Sequence, residues 1–233
     1  MQLFFSIVTI DAAMGLAQAA AVLPGGTAKP THILAARQTA STTLTALTVR
    51  ITNKAGVDLW TRHDGTLGQG SGTMAVDASD TNIITAGHGA IFVNRHDHKV
   101  KTDNESQVEF NFGPEDGKEK EGSKPVLDVS YVAGFTYPID CLCSGPGTGS
   151  GCSIDLWAQG NECPLPDDHL GCDNPKQGAG DGDKDPHPFF RPYLGKAYVV
   201  PGDHSGLSNN LCPSATFDCT VYGNNKGDAP KSG

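Results

Sequence analysis

With 233 residues, 29 of them glycine and 15 proline, and only 18% charged side chains, the chain is long enough for one large β domain or two small ones. Its make-up is that of a turn-rich, mostly β protein rather than a helical bundle. A formal net charge of -9 and a pI near 5.2 offer no phosphate-neutralising surface, which argues against nucleic acid and anionic membranes as partners and leaves neutral polysaccharide or a cationic partner.

In chain order, residues 3–10 form a short apolar run and Ala17-Gln18-Ala19 offers a small-x-small cleavage site, so residues 1–19 are expected to be a signal peptide. The run is too short to cross a bilayer. Residues 20–43, rich in Ala, Thr, Gly and Pro, read as a propeptide or disordered lead-in. The ordered domain is expected over 44–223, with 224–233 a flexible tail. Leu47-Thr48-Val49-Arg50-Ile51 alternates apolar and polar β-formers, and Val57-Asp58-Leu59-Trp60 follows as the second strand of a strand–turn–strand pair. Residues 68–72 are a turn. Short strands over 73–76 and 82–85 are joined by a polar turn over 77–80, and further strands fall at 90–93, 107–112 and 127–132. Charged side chains fill 115–124, which reads as a solvated loop.

From Cys141 onward the pattern is loop-dominated, with runs suited only to short helices or hairpins. All seven cysteines lie here, between Cys141 and Cys219. An odd set in a Gly-rich chain reads as disulfides plus one leftover thiol, which hold this half together where core is lacking. Cys141-Leu-Cys143 has one residue between its thiols, too few for a zinc knuckle. Asn104-Glu105-Ser106 is a glycosylation sequon in a polar stretch, expected on a surface loop of a secreted glycoprotein.

Three weaker constellations compete for function. Gly87-His88, Asp128 and Ser205 could form a trypsin-like triad, but His204 interrupts the Gly-Asp-Ser-Gly nucleophile loop that such a site needs. Asp181-Gly-Asp183-Lys-Asp185 begins like a calcium loop, yet Pro186 and Pro192 occupy the positions of its Gly and Glu. His88, His96 and His98 read as exposed hairpin residues. No metal or cofactor is called for.

A family likeness runs through most of the ordered chain. Ile51-Thr52-Asn53 followed by Trp60, Ala90-Ile91-Phe92-Val93-Asn94-Arg95, and Val108-Glu109-Phe110 come first. The ungapped stretch from Asp128-Val-Ser through Gly134-Phe135 to Pro138 is the strongest part. Cys152-Ser-Ile-Asp155, Cys163-Pro164, Gly171-Cys172-Asp173-Asn174-Pro175, Phe189-Phe190, Ala197-Tyr198, Cys212-Pro213 and Cys219 follow in order. The chain resembles the thaumatin-like proteins, as a small, divergent, secreted member. The resemblance implies an all-β fold, an antiparallel β-sandwich with a disulfide-held loop region. It implies Cys163 paired with Cys172, and Cys212 with Cys141 or Cys143. The family's first cysteine is missing near Ala55, so Cys219 must pair elsewhere or stay free, and Cys152 lacks a partner.

Members of that family carry a cleft lined by an Arg, a Glu and three Asp, and some of them bind or slowly cleave β-1,3-glucan. Carried over by position, Glu109 and Asp128 match, and Asp203 falls near the last Asp. Ala133 replaces the middle one. Lys101 or Lys99 is the nearest cation for the Arg, and Asp155 and Trp157 are candidate substrate contacts. Glycoside cleavage needs one protonated and one ionised carboxyl, roles that Glu109 and Asp128 could share. The expectation is a secreted monomer, extracellular or at a cell wall, binding β-glucan with weak endo-β-1,3-glucanase activity. The alternatives are an inactive surface antigen or effector that meets a protein at a host or cell surface, and the protease.

Overall fold

The computed structural model describes residues 44–97, 104–113, 125–167, 171–180, 182–202 and 212–225. Alternation of apolar and polar side chains decides the first strands. In β1 (Leu47–Lys54), Leu47, Val49 and Ile51 are buried while Thr48, Arg50 and Thr52 between them are not, the period of two that a half-buried strand requires. There follow β2 (Leu59–Gly65), β3 (Ser71–Met74), β4 (Ser79–Ile84), β5 (Gly87–Arg95), β6 (Ser106–Phe112) and β7 (Val126–Ser130). The second half contributes β8 (Gly134–Phe135), β9 (Ile139–Cys143), β10 (Gly149–Gly151), β11 (Leu165–Pro166), β12 (Cys172–Asp173) and β13 (Thr216–Tyr222). Its only helices among the described residues are two short 3-10 turns, Leu156–Gln159 and Arg191–Tyr193.

Two five-stranded sheets carry the fold, in the orders β10-β9-β13-β1-β4 and β3-β2-β5-β6-β7, with a small β11-β12-β8 sheet beside them. Val49, Ile51, Phe217 and Val221 from the β1 sheet share one apolar cluster with Ile91, Val93, Val108 and Leu127 from the β6 sheet. The protein is thus an all-β sandwich of face-packed sheets. Each such side chain contributes roughly 1.5–3 kcal/mol by leaving water. A second part of the core is aromatic: Tyr131, Phe135, Phe189 and Tyr193 pack with ring centroids 4.4–6.1 Å apart.

Three disulfides tie the second half. Cys141 in β9 stands opposite Cys219 in β13 and bonds to it, Cys143 bonds to Cys212, and Cys163 bonds to Cys172. Cys152 is the free thiol.

The structure departs from the sequence-based expectation in two places. The half beyond Cys141 holds a seven-residue strand, β13, in the centre of its sheet, with Phe217, Cys219 and Val221 buried. This strand runs parallel to β1, whereas every other ladder in the three sheets is antiparallel. The polar turn expected over 77–80 is also shorter, because Ser79 and Asp80 already pair with Thr52 and Ile51. At the other end, Asn224 and Asn225 are held to the domain. The Asn224 amide donates to the Thr136 carbonyl, and the Asn225 N–H donates to Asp155 at 2.8 Å.

The β6 sheet is widened at its β7 edge by Tyr198, whose N–H donates to the Val129 carbonyl at 2.9 Å. Its carbonyl accepts from the Tyr131 N–H at 2.7 Å. At the opposite side β2 and β5 approach closely. A Cβ on Gly89 would lie 2.3 Å from the Asp64 carbonyl oxygen, so only glycine lets these strands meet.

Candidate functional site

The outer face of the β6 sheet gathers the ionisable side chains. Alternation turns Val108, Phe110 and Phe112 into the core and leaves Gln107, Glu109 and Asn111 on the other side. In β7 the same rule sends Leu127 and Val129 inward and leaves Val126, Asp128 and Ser130 outward. Register then lines up one row across four strands: Asp64 opposite Ala90, Ala90 opposite Glu109, Glu109 opposite Asp128. His88, Asn111 and Val126 form the row on one side. Arg62, Phe92, Gln107 and Ser130 form the row on the other. An open-sided cavity of about 560 Å³ lies over this face, lined by Asp64, His88, Ala90, Phe92, Glu109, Asp128 and Tyr198 among others.

Glu109 and Asp128 form a hydrogen-bonded carboxyl pair. Asp128 is only 4% exposed, and its Oδ2 is buried with no N–H or O–H donor. Burial raises the Asp128 carboxyl well above the usual carboxylate range, and the charge of Glu109 raises it further. Burial also raises Glu109, partly offset by hydrogen bonds from Ser130 and Asp128. Two carboxyls this close and this dry cannot both ionise readily, so the pair retains one shared proton above the pH at which an exposed carboxyl loses it.

At the other end of the row, Asp64 is a half-exposed carboxylate that accepts from the Gly65 N–H at 2.7 Å. Its Oδ2 is 3.7 Å from Arg62 Nη1. The Arg62 guanidinium lies 3.6 Å over the Phe92 ring, with Nε and Nη2 buried and lacking any acceptor. Among the described residues no three His, Cys, Asp or Glu side chains converge closely enough to hold a metal ion.

Glu109 and Asp128 are thus brought together, and His88 lies on the same cavity. Lys101, Asp203 and Ser205 lie outside the described residues, as does His98. Two substrate contacts expected from sequence, Asp155 and Trp157, have other partners in the structure. Asp155 caps the 3-10 turn, accepting from the Trp157 N–H at 3.0 Å, and also holds Asn225. Trp157 packs edge-on against Phe189 at 5.0 Å and joins the core. Neither lines the cavity. Asn104, of the sequon, is 5% exposed and its amide nitrogen donates to Asp167 and Asp173, so a glycan there would have to displace both. The calcium-like stretch uses its acids on cations, Asp183 on Lys176 at 2.6 Å and Asp185 on Arg191 at 2.9 Å. For the trypsin-like reading, the Asp128 carboxyl is bonded to Glu109 rather than to an imidazole.

Arg62 and Asp64 were missed at the sequence level. The signal was present: Trp60-Thr-Arg62-His-Asp64 continues the alternation of β2, and extending the strand past Trp60 would have put both side chains on this face.

The pair's geometry also limits its chemistry. Glycoside hydrolysis sets its two carboxyls roughly 5–5.5 Å apart for retention or 6.5–9.5 Å apart for inversion, and carboxyls in hydrogen-bond contact are closer than either. Glu109 and Asp128 act as one proton-holding unit.

No family model matches the chain, and no curated protein does. Among solved structures, the crystal structure of the protein elicitor MoHrip2 from Magnaporthe oryzae is similar with a TM-score of 0.41 and 10% sequence identity. The likeness covers 75% of this chain and 98% of that one. A superposition this loose carries no argument about function.

Proposed function

We propose that this is a secreted carbohydrate-binding protein of thaumatin-like type whose cavity on the β6 sheet takes a neutral cell-wall polysaccharide, β-1,3-glucan. The observation that carries the reading is Asp128, buried, with an Oδ2 that has no partner, and lining an open cavity of about 560 Å³. A buried polar group without a donor is costly to keep, and a sugar hydroxyl is a donor and acceptor of the right size to satisfy it. The Phe92 and Tyr198 side chains border the cavity and offer apolar surface to the C–H faces of a pyranose ring. Neutral sugar also suits a chain of net charge -9, which would repel an anionic polymer. Three disulfides fit an oxidising, extracellular compartment.

The test is co-sedimentation of the mature protein with insoluble β-1,3-glucan, beside a variant carrying Glu109→Gln and Asp128→Asn. Wild type is expected in the pellet and the double variant in the supernatant. If wild type stays in solution, the glucan reading fails, and the partner of this surface is to be sought among proteins.

A further inference from the structure

Resting on the glucan-binding reading, we infer that Asp64 is the general base of an inverting glycoside hydrolysis in this cavity, facing the Glu109–Asp128 pair, which serves as the acid. The Glu109–Asp128 pair cannot supply both acid and base. Its carboxyls touch, leaving no space between them for a glycosidic bond and a water. A second, separate carboxylate is needed, and the register supplies one. Asp64 lies in the same row as Glu109 with only Ala90 between them. Two strand spacings set their backbones about 10 Å apart, which separates the two side chains by more than hydrogen-bond contact and leaves room for a glycosidic bond and a water, as an inverting site requires. The residue between them on this face is Ala90, whose side chain is a single methyl group, so the floor between acid and base is low. Both ends of the row line the same cavity.

The surroundings divide the roles. Asp128 is buried and its Oδ2 has no partner, while Asp64 is half-exposed, fixed by the Gly65 N–H and flanked by the Arg62 guanidinium. The pair gives its shared proton to the glycosidic oxygen as the bond from that oxygen to the anomeric carbon breaks, the electron pair leaving with the oxygen. A water on the opposite face forms the new bond to the anomeric carbon and passes a proton to Asp64. One water is consumed, two hydroxyl-terminated fragments result, and exchange with solvent returns the proton from Asp64 and reloads the pair. A β-linkage therefore yields an α-anomeric reducing end first.

The experiment incubates the full mature chain with a β-1,3-linked gluco-oligosaccharide and follows the anomeric protons by NMR, with glucan co-sedimentation run in parallel. The expected result is initial release of the α-anomer by wild type. Asp64→Asn is expected to lower the rate by about 10²–10⁴-fold while still pelleting with glucan. Release of the β-anomer, an Asp64→Asn rate equal to wild type, or binding without any hydrolysis would each overturn the assignment and leave the binding reading intact. Failure of wild type to bind glucan would remove both. The anomer is read on wild type alone, so the outcome does not depend on the folding of a variant.

Discussion

Asp128 stands directly opposite Glu109 on the β6–β7 ladder, and the two carboxyls hydrogen-bond one another at the edge of an open cavity. Like charges opposite one another on a sheet are destabilising. The pair resolves the conflict by keeping a proton, and that choice has a measurable signature in stability.

Both carboxyls are raised above their unfolded values, Asp128 the more strongly. Above the unfolded carboxylate value, at about pH 4, the folded state then binds more protons than the unfolded chain, so stability falls as pH rises toward the raised folded value. Asp128→Asn keeps a donor for Glu109 and removes the second charge. Thermal unfolding followed across pH should show a declining midpoint for wild type, a flatter profile for Asp128→Asn, and the variant more stable than wild type under mildly alkaline conditions.

Asn53 is fully buried at the end of β1. Its amide nitrogen donates to the carbonyls of Val57, Met74 and Ala75 at 2.8, 3.0 and 3.1 Å, and its oxygen accepts from the Ala55 N–H at 2.9 Å. These bonds join three segments, and losing them leaves buried backbone groups unpaired. Asn53→Ala should lower stability by about 2–4 kcal/mol in guanidinium unfolding, at the cost typical of buried groups left without partners. Ligand binding at the β6 sheet should be retained below the transition.

The Cys143–Cys212 bond closes a loop with a sequence separation of 69 residues. Replacing both cysteines by serine should cost about 2–4 kcal/mol. With six cysteines bonded, a thiol reagent should find a single equivalent, Cys152, in the unfolded, non-reduced protein. In the folded protein it should react slowly, since burial raises the thiol above its usual value and keeps it protonated.

Asn104 predicts a mass. Its side chain is buried and its amide donates to two aspartates, so protein secreted from a glycosylating host should carry no glycan at this position. Intact-mass measurement before and after glycosidase treatment checks this, and a mass loss traced to Asn104 by peptide mapping would contradict the burial.

The first sandwich strands were legible because alternation is a local signal: Leu47-Thr-Val49-Arg-Ile51 and Gln107-Val-Glu109-Phe-Asn111 show it without help from elsewhere. β13 carries the same pattern in Phe217-Asp-Cys219-Thr-Val221, but a neighbourhood of glycines, prolines and cysteines masked it as a loop. Its parallel pairing with β1 was not readable at all, since β1 and β13 meet across most of the chain. At the site, the acidic residues Glu109 and Asp128 were legible and their contact was not. Spacing along a chain says nothing of register between strands, and register made one unit of two supposed partners. Arg62 and Asp64 were lost to a strand ended too early, and Asp155 and Trp157 were drawn in by a polar stretch that turns out to cap and fill the core.

Whether the β6-sheet cavity takes sugar is decided by an NMR titration of isotopically labelled protein with a soluble β-1,3-gluco-oligosaccharide. The account predicts saturable shifts concentrated on Asp64, Ala90, Glu109, Asp128 and Tyr198, with the side-chain carboxyl signal of Asp128 among the largest. Shifts confined to the β1 sheet, or none at millimolar sugar, would contradict it.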